Sequence, residues 1–253
     1  MLKRWVRHWL ESRGYAVFNT RSGVGHARDG LFTFNNDHFR HDAPFRAAYA
    51  RGVRANGGVD PGTEWRVHVA LWAAGVALRV EGDFVECGVN GGLTSTAIME
   101  RWQWSGAGRR YWLVDTFGGP VMQQYTQAEA STGRVAAARD ALERGAYVTD
   151  VEQVRDNFAE WAGVEIVQGA VPEALKEVKA ERVAFLHLDM NCAFPERAAL
   201  EHFWPKMSAG GVVLFDDYAY FGNEELARTI DEAARGLGAE VLSLPTGQGL
   251  MLR

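Results

Sequence analysis

Five short apolar runs, each with an acid or a glycine in its last two residues, constrain this chain more than any other feature of its sequence. They are FVECGV (84–89), YWLVD (111–115), VEIVQG (164–169), VAFLHLD (183–189) and GVVLFDD (211–217). Helical patterns separate these β-rich runs, which predicts parallel strands joined by crossover helices. Their hydrophobicity is continuous rather than alternating, so the expected sheet is covered on both faces. The fold class read from this pattern is α/β, a doubly wound, mostly parallel sheet.

Local chemistry places the connecting helices. TDVE (149–152) is a capping-box pattern opening VEQVRDNFAEW, and Pro195 suits the first turn of the helix through ERAALEHFWPKM. Gly210 and Gly211 are expected to stop the chain before the fifth strand, and a further helix runs near Glu224 to Arg235. AEVLSLP and GLMLR flank TGQG, which predicts a C-terminal antiparallel hairpin at one sheet edge.

The N-terminal part reads differently. MLKRWVRHWLESRGY places Leu2, Trp5, Trp9 and Leu10 on one face of a short amphipathic helix, read as a docking helix in preference to a membrane-surface anchor. Tyr15 to Gly58 is irregular, aromatic and glycine-rich, open to reading as a lid, an oligomer contact or plain surface packing. A helix follows from about Thr63 to Leu78. The expected organisation is a cap and lid segment over 1–78 and a core over 79–253, forming one structural domain.

Bulk properties exclude several classes. A formal charge of −5 gives no general attraction to nucleic acid or anionic lipid. No segment reaches the roughly 20 apolar residues of a membrane span. Only two cysteines occur, Cys87 and Cys192, which fits a reducing cytoplasm rather than a disulfide scaffold.

In an open parallel sheet, ligands bind beyond the carboxyl ends of the strands, where a glycine turn lets backbone approach them. Gly88, Gly91 and Gly92 meet that need, but their spacing is not G-x-G-x-x-G, so a dinucleotide fingerprint fits poorly. S-adenosylmethionine fits better. Its ammonium needs an acceptor, from Glu86 or a backbone carbonyl, and its carboxylate suits the amides near Asn90 to Leu93 at a helix start. Asp115 ends the second strand, where a carboxylate can accept both ribose hydroxyls, and Gln168 and Gly169 end the third, beside the adenine. Cys87, Ser95 and Thr116 complete the candidate cofactor set.

The fourth and fifth strands end in LDMN (188–191) and DDY (216–218). Asp189, Asp216 and Asp217 would repel one another at a shared rim without a cation, and neither motif contains a basic residue. A hard divalent ion such as Mg²⁺ is the expected partner; helix capping and solvation are the alternative. Metal coordination would activate a hydroxyl, and His187, two residues before Asp189, is a candidate base or else a buried structural histidine. Trp65, Trp72 and Trp204 are candidates for stacking on a sugar, though most of the tryptophans should be core.

Taken in order, GDFVECGVNGG, YWLVDTFGG, DVEQVRDNF, LDMN and GGVVLFDDY resemble the macrocin O-methyltransferase family of bacterial sugar O-methyltransferases, from about Glu81 to Arg235. The resemblance implies a Rossmann-like class I methyltransferase fold, S-adenosylmethionine, and a sugar hydroxyl acceptor. By position it implies metal ligands at Asp189, Asp216 and Asp217, and a ribose ligand at Asp115. The family pattern commonly reads Leu-Asp-x-Asp, with the second aspartate a candidate base, and this chain has Asn191 there. An amide accepts no proton at neutral pH, so His187 or Asp189 is left as catalytic base. The acceptor implied is a nucleotide sugar, glycan or glycosylated metabolite of the kind used in surface-polysaccharide assembly. N-methylation of an amino sugar is the first alternative; a nicotinamide-dependent sugar oxidoreductase and a non-catalytic nucleotide-binding module are others. A homo-oligomer is compatible with all of these.

Overall fold

A computed structural model describes residues 2–15 and 26–253, so residues 16–25 of the expected irregular segment lie outside it. In chain order the elements are α1 (Leu2–Glu11), β1 (His26–Arg28), β2 (Leu31–Thr33), α2 (Ala43–Ala55), α3 (Glu64–Ala77), β3 (Asp83–Cys87), α4 (Leu93–Arg101), β4 (Tyr111–Asp115), α5 (Gln127–Ser131) and α6 (Arg134–Glu143). They continue as α7 (Val151–Phe158), β5 (Val164–Gln168), β6 (Val183–Leu188), α8 (Ala193–Phe203), β7 (Met207–Phe215), α9 (Glu224–Gly236), β8 (Leu242–Ser243) and β9 (Gly249–Leu252).

The five apolar runs are five neighbouring strands of one sheet, ordered β5-β4-β3-β6-β7-β9-β8. The pairs from β5 to β7 are all parallel, while β9 runs antiparallel to both β7 and β8. The C-terminal hairpin is therefore present at one edge, with β9 extending the sheet and β8 closing it. Strand order reverses between β3 and β6, the switch point at which such sheets leave a crevice.

The expectation of burial on both faces holds for β3, β4 and β6 but not for β5. Its side chains are only half-buried along its length, because it is the other edge. The central strands carry the core: Phe84, Tyr111 and Phe185 are fully buried, Phe84 and Tyr111 each packing on Trp104 at 5.2 Å and Phe185 on Phe84 at 5.1 Å. Each such side chain contributes roughly 1.5–3 kcal/mol by burial.

The cap shares this core. Phe39, Phe45, Ala48, Val67, Ala70 and Leu71 belong to the same buried cluster as Phe84, Ile98 and Leu113. Helix α2 was hidden in the segment expected to be irregular, although its start is well signalled. Asp42 accepts from the Phe45 amide at 3.2 Å and Pro44 sits in the first turn. Past the far end of α3, Arg109 donates to the carbonyls of Val80 and Gly82 at 3.0 and 3.1 Å in the connection to β3, and at 3.4 Å to the helix-end carbonyl of Leu78.

Three further expectations need correction. The cap of α7 is Asp150, which accepts from the Glu152 amide at 2.9 Å, and not Thr149. Gly210 and Gly211 lie inside β7 rather than before it; the β6–β7 register shifts there, and the two glycines exchange backbone hydrogen bonds with Arg253. Helix α1 is not docked on any of the described residues outside its own segment: Trp5 is 65% exposed and Trp9 43%, with only the neighbouring Arg13 stacked over the Trp9 ring at 3.9 Å.

His68 lies within the cap's aromatic cluster, stacked on Phe39 at 3.9 Å. Burial, helped by His38, lowers its pKa below the usual 6.5. The folded state therefore binds a proton less readily than the unfolded chain, and the stabilising contribution is present above about pH 6.5 and lost as pH falls through the lowered value. A His68→Phe protein should lose less melting temperature than the wild type between about pH 7 and about pH 5. Identical losses in both proteins would remove His68 from the acid response.

Candidate functional site

The site forms where the turns after β3 and β6 meet. Gly88 has φ +90°, and a Cβ built there would lie 2.0 Å from the carbonyl oxygen of Asp189. Only glycine permits this approach. Gly91 is similarly confined, with a Cβ falling 2.6 Å from the Ala55 carbonyl of the cap. The glycine cluster is thus a packing requirement between β3, β6 and α2 before it is anything else.

Asp115 organises the turn. Its Oδ2 accepts from the amides of Val89 at 2.6 Å and Asn90 at 2.9 Å, while Oδ1 accepts from the Phe117 amide at 2.8 Å. Asn90 then bridges outward, accepting from the Val148 amide at 2.7 Å and donating to the Ala146 carbonyl at 3.1 Å. That link fixes the chain on either side of Tyr147, which lines a cavity.

This first cavity is lined by Gly88, Asn90, Asp115, Thr116, Gly169 and Asp189 among the expected residues. Gln124, Tyr125 and Tyr147 also line it and had drawn no attention in the sequence, because the connection from β4 to α7 carries no motif. Four expected cofactor residues lie elsewhere. Cys87 points into the hydrophobic core, where burial raises its thiol pKa. Ser95 is fully buried in α4, its hydroxyl without a hydrogen-bond partner among the described residues. Gln168 is at the surface, donating to the Thr116 carbonyl at 3.3 Å. Glu86 is buried and accepts from the Tyr111 hydroxyl at 3.1 Å.

Glu86 instead lines a second cavity, together with Arg66, Thr63, Pro61, Asp189 and Asp216. Asn90 and Asp189 line both cavities, so the two spaces meet at these side chains. Asp189 accepts from the Asn191 amide nitrogen at 3.2 Å. Burial, reinforced by Asp216 and Asp217, raises its carboxyl well above the usual range. The LDMN turn is held from behind by Glu196, whose buried carboxylate accepts from the amides of Met190 and Asn191 at 3.2 and 3.1 Å.

The acidic pair has a basic partner, contrary to expectation. Arg66, on the buried face of α3, places Nη1 2.7 Å from Asp216 Oδ2 and 2.7 Å from Asp217 Oδ1, and its Nε is 2.7 Å from Asp29 Oδ2. Gln248, in the TGQG turn, donates to the other Asp216 oxygen at 2.8 Å. Burial works against the Asp216 charge, but Arg66 and His187 outweigh it and hold its carboxyl far below the usual range. A charged residue among Val67, Ala70, Leu71 and Ala74 was the available signal, since a buried guanidinium needs carboxylates within reach.

A magnesium ion would need about six oxygens at roughly 2.0–2.1 Å. As they stand, Asp216 and Asp217 turn oxygens toward guanidinium N–H groups, and a second cation between them would be repelled. No group of three or more His, Cys, Asp or Glu residues able to hold a metal occurs among the described residues. The expected ligand set therefore does not fit a divalent ion.

His187 also departs from expectation. It is fully buried on β6, with Nδ1 3.4 Å from Glu86 Oε1 and Nε2 3.7 Å from Asp216 Oδ1, and it lines neither cavity. Burial disfavours its charge, yet the flanking carboxylates raise its pKa well above 6.5. Fully buried, with both ring nitrogens facing carboxylates and no surface on either cavity, it has no path to an acceptor hydroxyl, which argues against it as general base. Of the tryptophans, Trp204 is core, Trp65 packs on Phe39, and Trp72 is exposed and lines neither cavity.

Comparison with known proteins gives three findings. The family described as Macrocin-O-methyltransferase (TylF) matches residues 70–244. A relative from Streptomyces olivaceus, described as 8-demethyl-8-(2,3-dimethoxy-alpha-L-rhamnosyl)-tetracenomycin-C 4'-O-methyltransferase, is 30% identical over 145 residues, which is 55% of this chain and 54% of the relative. The chain thus spans about half the length of the curated relative it matches. Among solved structures, the O-methyltransferase NovP superposes with a TM-score of 0.67 at 18% identity, over 86% of this chain and 99% of its own. The calicheamicin methyltransferase CalS11 gives 0.54 at 17% identity, over 94% and 98%. At these identities the likeness establishes the fold, which is that of a Rossmann-like class I methyltransferase.

The Gly88 contact has a direct consequence. Gly88→Ala should destabilise the protein by more than about 2 kcal/mol, because the new methyl meets backbone rather than a yielding side chain. Chemical denaturation measures this, and an unshifted midpoint would mean that the two turns are not in contact.

Proposed function

Since the chain belongs to the macrocin O-methyltransferase family, we propose that it transfers the methyl group of S-adenosylmethionine to a hydroxyl of a sugar, carried as a nucleotide sugar, a glycan or a glycosylated metabolite. The observation that carries this reading is the pair of cavities meeting at Asn90 and Asp189. Two reactants that exchange a single carbon need two adjoining sites with one point of contact. The first cavity has the switch-point position, the glycine turn and the strand-end carboxylate suited to an adenosyl cofactor. The second has the carboxylates and the guanidinium suited to sugar hydroxyls. The curated relative's description, a 4'-O-methyltransferase acting on a rhamnosyl tetracenomycin, supports the same acceptor class.

In this reading the backbone around Asn90 and the Thr116 and Tyr147 side chains hold the cofactor, and Asp115, which lines the same cavity, accepts the ribose hydroxyls while its bonds to the Val89, Asn90 and Phe117 amides keep the turn in shape. Methyl transfer forms the new C–O bond as the C–S bond breaks, in line, leaving S-adenosylhomocysteine and an ether. The hydroxyl proton passes to Asp189, the carboxylate common to both cavities. Asn191 orients Asp189 through its amide and takes no proton itself. No step is assigned to a metal. Both cysteines are buried free thiols, in keeping with a reducing cytoplasm as the place of action.

Asp189→Asn should lower kcat by about 10²- to 10⁴-fold, the range for loss of a positioned base, while calorimetry finds S-adenosylhomocysteine still bound. Unchanged turnover would exclude Asp189 as base. Asp115→Ala should weaken S-adenosylhomocysteine binding by about 10- to 100-fold, through loss of charge-assisted bonds worth roughly 1.5–3 kcal/mol. Binding of NAD in place of S-adenosylhomocysteine would overturn the reading altogether. Label from S-adenosylmethionine appearing on an amino sugar but on no neutral sugar would move it to N-methylation.

A further inference from the structure

The expected metal ligands and the arginine that meets them point to a specific substitution. We infer that Arg66 is the resident cation of the acceptor cavity: its guanidinium takes the place between Asp216 and Asp217 where a divalent ion would bind. The cavity is an acceptor site only if the proposed function holds, whereas the cation held by those carboxylates is independent of that function.

Three features make Arg66 a fixed occupant rather than a passing partner. Its side chain is only 10% exposed and is engaged from several sides. Nη1 bridges Asp216 and Asp217 while Nε reaches Asp29, which occupies the tight turn between β1 and β2 with φ +51°. The Tyr220 ring lies 4.8 Å from the guanidinium carbon, and Gln248 ties the helix to the same carboxylate by donating to both the Arg66 carbonyl and Asp216. Swinging Arg66 out to admit an ion would break all of these contacts at once. It would also strand a buried charge.

The charge balance agrees. Arg66 brings a permanent positive charge to Asp29, Asp216 and Asp217, and His187 faces Asp216 from the opposite side. Asn191, bonded to Asp189, adds a neutral amide where another acid would have demanded more cation. A guanidinium is planar and matches two carboxylates through directed N–H bonds, whereas Mg²⁺ demands oxygens on six sides. The acids here are arranged for the former. Arg66 also lines the second cavity, so its charge is available to an acceptor's oxygens.

Titration with Mn²⁺, followed by loss of the free-ion electron paramagnetic resonance signal, tests this without methyl donor or acceptor. Failure of methyl transfer therefore leaves it untouched. The wild type should leave the free signal undiminished at millimolar Mn²⁺. Arg66→Ala, checked for folding by circular dichroism, releases three carboxylates and should deplete the free signal with one saturable site, which Asp217→Asn in the same background should abolish. Arg66→Lys, which keeps a charge, should bind no more Mn²⁺ than the wild type. Saturable binding of one Mn²⁺ by the wild type, lost in Asp217→Asn, overturns the inference whether or not Arg66→Ala folds. A folded Arg66→Ala that binds no Mn²⁺ overturns it as well.

Discussion

The contact between Gly88 and the Asp189 carbonyl is the constraint from which the rest of the site follows. It brings the turns after β3 and β6 to van der Waals distance at the point where strand order reverses. No side chain can intervene there. The amides of the β3 turn face the carboxylate of Asp115, Asp189 lines both cavities, and the place where the two cavities meet is held by backbone rather than by flexible side chains alone. A methyl transfer depends on such alignment more than on any single catalytic group.

Arg66 is the second organising element, and it joins parts of the fold that local structure keeps separate. One guanidinium ties α3 of the cap to the ends of β7 and to the β1–β2 turn, so the cap and the sheet share electrostatics as well as a hydrophobic cluster. Buried carboxylates left unpaired would be strongly destabilising. The arrangement therefore couples folding of the N-terminal segment to completion of the second cavity.

Much of this was open to reading in the chain itself. The five strands stood out because a strand buried among neighbours needs an unbroken apolar run, and this requirement is local. Asp115 and Asp189 could be placed at the cavity because strand-end residues of a parallel sheet must face one rim. The helix α2 escaped notice despite Asp42 and Pro44, since glycines and arginines around it blur the helical period. Glu86 has the charge an ammonium acceptor needs, Gln168 ends a strand beside the expected adenine position, and Cys87 and Ser95 adjoin the glycine turn in sequence. Their side chains point to a second cavity, solvent, the core and a helix interior respectively, because neighbouring residues on a strand or helix face different ways.

The sequence by itself determined the layered α/β architecture, the glycine turn and the acids at the strand ends, all consequences of short-range rules of periodicity and backbone sterics. The tertiary structure alone decided what neutralises those acids. Arg66 lies 150 residues before Asp216, and Gln248 and Asp29 come from opposite ends of the chain. A buried charge takes whichever partner the fold brings within hydrogen-bond distance, and spacing along the chain carries no record of that choice.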